Sequence, residues 1–409
     1  MPAQHNITWY PVANEAQHPQ IIRQVEAIAK HLAQKPALEQ GIALAGGTPG
    51  ISLFLTNYQK LIENPQDYTD AVNAGWQMVY QVIEDNQVSP SLYSGLSGIA
   101  WTIDYLQHNS GEPFEDYNEE LDQHFDQLLS TQVWQGEYEL ITGLCGIGLY
   151  GLGRCDIDSG HKIAEKVIHH IIALAHTDSN GTYWATDANS AYGHVDENTE
   201  EVNLGLAHGT TGVIALLSKA VKKHVLLTQT APLLKSACEW LLAQKNDDPA
   251  QGYFSYNNLK QCQSRLGWCY GDLSNAYVLY KSGLVLQNKA LADAALSIAL
   301  ATCKRKKDQS GMVDASFCHG SAGIMFMYQR LFFYCGDEYF KEAAQYWLAQ
   351  TLELADSAED LSGFNYYRGR DKTVEENLGF LEGYSGIGLA LLASIQTKEP
   401  DWDEVLMLG

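Results

Sequence analysis

The sequence predicts an all-α protein: an α/α toroid of seven inner and seven outer helices, with longer loop excursions on one face. Two patterns in the 409 residues favour this fold class. A Gly-x-x-Gly step followed by an apolar run recurs along the chain, and an amphipathic stretch with helical spacing precedes each step. The last apolar run, residues 386–393, is as apolar as the middle ones, whereas an open array needs polar caps at both ends. A closed ring is therefore favoured.

Seven amphipathic stretches predict the outer helices, which are expected at 21–34, 68–83, 121–132, 161–175, 232–244, 290–304 and 339–354. The steps that follow them begin at Gly47, Gly95, Gly143, Gly209, Gly271, Gly320 and Gly383. The more apolar inner helices are expected in the runs that start at residues 50, 98, 146, 212, 274, 323 and 386. Because the repeat runs the length of the chain, residues 1–409 are predicted to form a single toroid domain.

Most of the glycines in these steps are predicted to serve the fold. A helix start that is crowded near a ring axis favours residues without a Cβ, and its N–H groups need partners. The fifth copy has Ser274 at the second glycine position, which predicts wider spacing there or a hydroxyl with a role. Two longer polar-aromatic segments, 178–204 and 355–380, are expected to form the excursions over one face of the ring.

Composition narrows the possible partners and the location. Formal net charge is −23, from 49 acidic and 26 basic side chains, which argues against nucleic acid as a partner and would attract a cationic peptide. The alternative is that this charge serves solubility alone. Residues 1–20 are polar and no apolar run approaches the roughly 20 residues that cross a bilayer, so an integral membrane protein is not expected. The eight scattered cysteines fit reduced thiols and a cytoplasmic location.

Cysteine and histidine side chains recur just before two consecutive glycine steps. Cys269 and Cys318 lie two residues before the first glycine of the fifth and sixth copies, and His319 lies one residue before it. Two thiolates and a neutral imidazole are ligands that Zn²⁺ takes in tetrahedral geometry, with a fourth position open for catalysis. The sequence therefore predicts a zinc site at Cys269, Cys318 and His319. The alternative is that both cysteines are ordinary buried residues.

Four further residues are predicted to take part in catalysis. His208 has the register of His319 two copies earlier, which suits a proton donor or acceptor, although a helix cap is the alternative. Arg265 could hold a carboxylate or stabilise an oxyanion, or form an ion pair elsewhere. Tyr270 is expected to line or polarise the site, and Glu139 to assist proton transfer.

The motifs "LAHG", "WCYGD" and "FCHGSAG", in this order among seven glycine repeats, resemble those of the LanC-type lanthionine synthetase cyclases. The resemblance extends from about residue 40 to 395. It implies an α/α toroid whose central zinc is held by the residues that match Cys269, Cys318 and His319. It also implies an activity, the intramolecular addition of a peptide cysteine thiol to dehydroalanine or dehydrobutyrine, which forms a lanthionine or methyllanthionine thioether ring.

The same resemblance implies individual roles. His208 matches the histidine that protonates the α-carbon of the enolate, Arg265 matches an arginine that orients polar groups, and Tyr270 matches the tyrosine after the first zinc cysteine. Glu139 stands where bacterial cyclases commonly have an aspartate, so its role either persists with shifted geometry or is absent. The implied partners are a dehydrated precursor peptide, together with a lanthipeptide dehydratase and a transporter.

Other functions remain open at this point. A LanC-like protein with the same zinc ligands could instead add glutathione to dehydrated residues or act as a thiol-binding regulatory module. A prenyltransferase subunit typically uses an aspartate, a cysteine and a histidine, which fits this pair of cysteines less well. A glycoside hydrolase needs paired carboxylates, for which Glu137, Glu139 and Glu382 are candidates, but that alternative leaves the register of the cysteines unexplained.

Overall fold

The computed structural model describes residues 8–186, 201–259, 262–369 and 371–409. In chain order the α-helices of this part are α1 (His18–Gln34), α2 (Ala37–Gln40), α3 (Thr48–Leu61), α4 (Thr69–Asp85), α5 (Leu96–His108), α6 (Glu119–Leu128), α7 (Leu144–Gly153), α8 (Asp158–Ala173), α9 (Thr210–Lys222), α10 (Leu227–Ala243), α11 (Asp272–Val285), α12 (Lys289–Thr302), α13 (Lys307–Ser310), α14 (Ser321–Cys335), α15 (Glu338–Asp356) and α16 (Tyr384–Ile395). The strands are β1 (His176–Asp178), β2 (Gly181–Tyr183), β3 (Tyr366–Arg368) and β4 (Thr373–Glu375). Short 3₁₀ turns cover Pro249–Gln251, Leu361–Phe364 and Trp402–Leu406.

The seven glycine steps mark the starts of seven helices, as the sequence predicts. Helices α3, α5, α7, α9, α11, α14 and α16 each begin directly after the first glycine of a step, and that glycine is the N-cap. Each therefore starts two residues before the apolar run in which it was predicted. Helices α1, α4, α6, α8, α10, α12 and α15 overlap the predicted amphipathic stretches.

Among the helices predicted from amphipathic stretches, α10 differs most from its predicted bounds. This helix begins at Leu227 rather than at residue 232, and Pro232 lies inside it. The extra turn is held by Leu226, which takes a left-handed conformation at the N-cap, and by the Thr230 hydroxyl, which donates to the Val225 carbonyl at 3.1 Å.

The chain forms two compact units, one of residues up to Val88 together with Cys303–Gly409 and the other of Ser89–Thr302. In the first unit α16 packs against both α14 and α3, and α1, α4 and α15 pack against these helices. In the second unit α5, α7, α9 and α11 pack in that order, and α8, α10 and α12 pack on their respective predecessors. That residues 1–409 form a single domain stays a prediction. No helix in the described part of the chain has both the length and the apolar character needed to cross a membrane.

The N-cap glycines are required by the close approach of the loop that precedes each helix. At α9 the Thr210 N–H donates to the carbonyl of Asn203 at 2.9 Å, which brings that oxygen to 2.1 Å from where a Cβ on Gly209 would lie. At α3 the same approach joins Thr48 to the carbonyl of Gly41. The predicted crowding at the helix starts is thus confirmed, and the crowding partner is the loop's own backbone.

The fifth step differs from the others in its backbone. Gly271 has φ +102, in the region that favours glycine, whereas the other six N-cap glycines have φ between −156 and −103. The Ser274 side chain is buried, and its hydroxyl donates to the Gly271 carbonyl at 3.2 Å. This hydroxyl therefore has a local role in the first turn of α11.

Alanine should destabilise the protein at one of two neighbouring glycines before α3 and have little effect at the other. A Cβ on Gly47 would lie 2.5 Å from the Gly41 carbonyl oxygen and within 2.8 Å of the backbone of Ala43, whereas a Cβ on Gly46 has no such neighbour within 4 Å. We expect Gly47→Ala to lower the free energy of unfolding by about 3 kcal/mol and Gly46→Ala to change it by less than about 0.5 kcal/mol. Urea denaturation of both variants measures this, and equal stabilities would contradict the packing described.

The two predicted excursions contain short hairpins. Antiparallel strands β1 and β2 lie at the start of the first, and its residues 187–200 lie outside the described residues. The second contains the antiparallel strands β3 and β4. Directly after β4, the Glu376 carboxylate forms hydrogen bonds with His31 and Lys35 near the end of α1. Their position over one face of a ring stays a prediction.

Candidate active site

The loops before consecutive inner helices of the second unit are joined by backbone hydrogen bonds. Tyr93 N–H donates to the Ile141 carbonyl, Leu140 N–H to the Ala207 carbonyl, and Ala207 N–H to the Cys269 carbonyl, each at 3.2 Å. These bonds hold the pre-glycine residues of the second to fifth copies side by side, as their shared register predicts.

The first unit shows the same arrangement. Cys318 N–H donates to the Leu381 carbonyl at 2.8 Å, and Phe380 N–H donates to the Ala45 carbonyl at 2.7 Å. Cys318 and His319 therefore lie in a loop that is fixed by its neighbour from the seventh copy.

Each unit places part of the predicted metal-ligand set in the loop before a helix. Cys269 lies in the loop directly before α11 in the second unit, and Cys318 and His319 lie in the loop directly before α14 in the first. Cys269 is buried, and the His319 side chain is only 14% exposed. Two thiolates and an imidazole are a donor set that zinc takes in tetrahedral sites.

Four of the remaining cysteines, two of them buried and two half-buried, have raised pKa values. All eight cysteines are among the described residues, and none forms a disulfide. Burial raises the pKa of the Cys238 thiol to about 12, that of Cys303 to about 12 and that of Cys335 to about 11. Burial also raises the pKa of Cys145 well above its ordinary value. A raised pKa disfavours the thiolate, which is the form of cysteine that binds metals.

A buried carboxylate lies behind His319 and was not found from the sequence. Asp314 Oδ2 is 4.0 Å from His319 Nε2, and the Asp314 carboxylate accepts the N–H groups of Ser316 at 2.9 Å and Tyr367 at 3.0 Å. A carboxylate behind a metal-binding imidazole commonly fixes the orientation of the ring. Its position in the repeat could have indicated it, because Asp314 lies six residues before Gly320, just as Arg265 lies six residues before Gly271.

Glu139 and His208 contact each other directly. The distance from His208 Nδ1 to Glu139 Oε2 is 2.8 Å, and Glu139 is almost fully buried. The same carboxylate accepts the Ile141 N–H at 2.9 Å and the Thr142 hydroxyl at 2.7 Å. Glu139, which is one methylene longer than the aspartate common in bacterial cyclases, thus contacts His208 directly.

These hydrogen bonds select one tautomer of His208. An ionised carboxylate only accepts hydrogen bonds, so the imidazole donates through Nδ1 to Glu139. Proton transfer by the neutral ring then falls to Nε2. The pair can orient an imidazole for proton transfer, and Glu139 faces a histidine rather than the second carboxylate that a glycoside hydrolase needs.

Two residues near Cys269, Trp268 and Asp272, have structural roles. Trp268 is fully buried and packs edge-on against Tyr93, with ring centroids 5.8 Å apart. The Asp272 carboxylate, at the start of α11, accepts the Phe254 N–H at 2.7 Å and the Ser264 hydroxyl at 2.8 Å, so it holds the loop that leads to Arg265. The catalytic role of Arg265, which is half-buried, stays a prediction.

Tyr270 is brought close to His208. Their ring centroids are 6.1 Å apart, and the Tyr270 hydroxyl accepts a hydrogen bond from the amide of Asn203 at 2.8 Å. Asn203 was not among the residues predicted from the sequence, although it too lies six residues before its glycine.

Comparisons with known proteins agree with this arrangement. A sequence profile for the family described as lanthionine synthetase C-like protein matches residues 39–407. The nisin biosynthesis protein NisC of Lactococcus lactis subsp. lactis is 23% identical over 390 residues, which cover 86% of this chain and 84% of NisC. A solved structure of nisin cyclase superposes with a TM-score of 0.71 at 20% identity and covers 97% of this chain and 98% of that one. The likeness confirms the predicted fold class, an all-α toroid.

Proposed function

Because this chain belongs to the lanthionine synthetase C-like family, we propose that it is a zinc-dependent cyclase that forms thioether rings in a peptide. Its reaction adds a cysteine thiol of the peptide to a dehydroalanine or dehydrobutyrine of the same peptide, giving lanthionine or methyllanthionine. The observation that carries this proposal is the shared register of two thiols and one imidazole, since Cys269, Cys318 and His319 each lie one or two residues before a glycine that caps a helix.

Cys269, Cys318 and His319 would hold the zinc ion. When bound, zinc lowers the pKa of a coordinated thiol, so that a peptide cysteine reacts as its thiolate. Two protein thiolates would neutralise the charge of the ion, which would leave the sulfur of the peptide cysteine electron-rich. Asp314 supports the third ligand, because its negative charge faces His319 from 4.0 Å.

The His208–Glu139 pair handles the proton that the addition requires. The sulfur lone pair forms a C–S bond to the β-carbon, and the electron pair of the C=C bond moves onto the adjacent carbonyl as an enolate. His208 then delivers a proton to the α-carbon, and the proton lost by the thiol balances it. The product is an isomer of the substrate, so no further reactant is consumed. Glu139 holds the ring through Nδ1 and stabilises its cationic form.

Tyr270 and Arg265 supply polar groups for the enolate oxygen. The Tyr270 ring lies beside His208, and Arg265 is four residues before Cys269 in the same loop. A hydroxyl and a guanidinium that are positioned before the reaction stabilise a charge that develops only during it.

The substrate of this reaction is a dehydrated precursor peptide, which a lanthipeptide dehydratase supplies and a transporter exports. The net charge of −23 favours a cationic peptide and disfavours nucleic acid. Eight cysteines without a disulfide suit the reducing cytoplasm, where we place the protein.

A synthetic peptide with one dehydroalanine and one cysteine tests this function. The zinc-loaded protein is incubated with the peptide and with glutathione, and the product is alkylated before mass analysis. We expect a peptide of unchanged mass that no longer reacts with the alkylating agent, because ring closure consumes its thiol. A peptide that gains one glutathione and keeps an alkylatable thiol would show the alternative function, addition of glutathione. An unmodified peptide would reject both.

A further inference from the structure

The side chain of Asn203 is buried in the loop before α9, the same loop that carries His208. Its backbone N–H donates to the Thr186 hydroxyl at 3.2 Å, and its carbonyl accepts the Thr210 N–H at 2.9 Å. Asn203 is only 4% exposed. Because both backbone groups are engaged, the position from which the amide extends is set by the start of α9.

The contacts of the amide determine which of its atoms faces Tyr270. Asn203 Oδ1 accepts the Gly205 N–H at 2.9 Å, so this atom is the oxygen. The nitrogen Nδ2 therefore faces the Tyr270 hydroxyl, at 2.8 Å. An amide nitrogen donates but does not accept, so the phenolic oxygen is the acceptor in this bond. Tyr270 must direct its own proton elsewhere.

The Tyr270 ring is also held on its other sides. A Cβ on Gly205 would lie 2.5 Å from Tyr270 Cε1, so the ring rests directly on the glycine backbone. Tyr256 packs edge-on against the ring, with centroids 5.3 Å apart, and His208 lies 6.1 Å away. These neighbours restrict the ring, and the amide of Asn203 excludes one direction for the proton of its hydroxyl.

We propose that Asn203 is a positioning residue that turns the Tyr270 proton toward the carbonyl oxygen on which enolate charge develops, an inference that rests on the ring-forming function proposed above. By donating to the phenolic oxygen, Asn203 keeps the phenolic proton from pointing toward the Asn203 side chain. A hydroxyl that accepts one hydrogen bond also donates more strongly through its own proton. Asn203 acts only through Tyr270 and does not touch the substrate.

The isosteric change Asn203→Asp tests this role. A carboxylate still accepts the Gly205 N–H, but it presents an acceptor to Tyr270 and draws the phenolic proton away from the substrate. We expect kcat to fall by about 100-fold, as for the loss of one oxyanion donor, with KM within about twofold of the original. Tyr270→Phe should give the same loss, and the double variant should be no slower than Tyr270→Phe alone. Losses that multiply in the double variant would overturn the proposal.

Asn180→Asp is the matched control, since it makes the same charge change at the exposed turn between β1 and β2. We expect its kcat to match that of the unchanged protein. If it instead loses as much as Asn203→Asp, the effect is one of charge and the proposal fails.

A second measurement separates this inference from the proposed function. Fluorotyrosine placed at position 270 reports its hydroxyl environment by ¹⁹F NMR whether or not any ring forms. We expect one narrow resonance that shifts in Asn203→Asp and stays unchanged in Asn180→Asp. If the unchanged protein closes no ring but the resonance shifts, the function fails while the Asn203 contact stands. A resonance that does not shift overturns the proposed contact.

Discussion

Replacing Cys269 or Cys318 with alanine is expected to slow ring formation by more than about 1000-fold, because each change removes one of two thiolates that hold the metal. The remaining cysteine and His319 would bind zinc weakly, and the peptide thiol would stay protonated at neutral pH. The rate is measured as loss of alkylatable peptide thiol over time. Thermal unfolding of each variant in the presence of chelator shows whether the fold survives the substitution.

Cys155→Ala is the matched control for these variants. Cys155 is half-buried like Cys318, but it lies at the end of α7 and outside the pre-glycine register. We expect its rate to equal that of the unchanged protein. If Cys269→Ala still closed rings at a comparable rate, the cysteines would be ordinary core residues, and the proposed role of zinc would be wrong.

The second large effect is expected at the His208–Glu139 pair. Glu139→Gln keeps the shape of the side chain but can donate to Nδ1, which favours the tautomer whose proton sits on Nε2. We expect kcat to fall by about 100- to 1000-fold, as for other imidazoles that lose an orienting carboxylate. Glu139→Asp should retain more activity, because it restores a carboxylate with one methylene less. Steady-state cyclisation rates of both variants measure the difference.

Two further variants identify the cause of that loss. If Glu139 acts only through the imidazole, the double variant Glu139→Gln with His208→Asn will be no slower than His208→Asn alone. Glu137→Gln, two residues earlier in the same loop, is the control for the loss of a negative charge and should keep its rate. An unchanged rate for Glu139→Gln would mean that the carboxylate contributes to the fold alone.

Most of the correct predictions from the sequence came from the position of each residue relative to the first glycine of its repeat. Since each inner helix begins where its loop folds back onto a glycine, the glycine positions fixed all seven helix starts to within two residues. The same register placed Cys269, Cys318 and His319 in the loops directly before α11 and α14, and their joint binding of one zinc ion stays a prediction. Residues at the same position in different copies have similar structural surroundings, because each copy is packed by the same kind of contacts.

The remaining features depend on contacts that a single repeat does not encode. The bonds from Glu139 to His208 and from Asn203 to Tyr270 each join different copies, so their distances follow from how neighbouring loops pack. The strands are only three residues long, too short for an alternating pattern to stand out. The early start of α10 depends on a left-handed residue, Leu226, for which leucine is not a usual choice.

The zinc content of the purified protein, together with that of Cys269→Ala and Cys318→Ala, tests the central claim most directly. We predict about one zinc ion per chain in the unchanged protein, loss of that ion in both variants, and its retention in Cys155→Ala. Absence of zinc from the folded protein after incubation with the metal, or zinc that persists in both variants, would contradict the proposed centre.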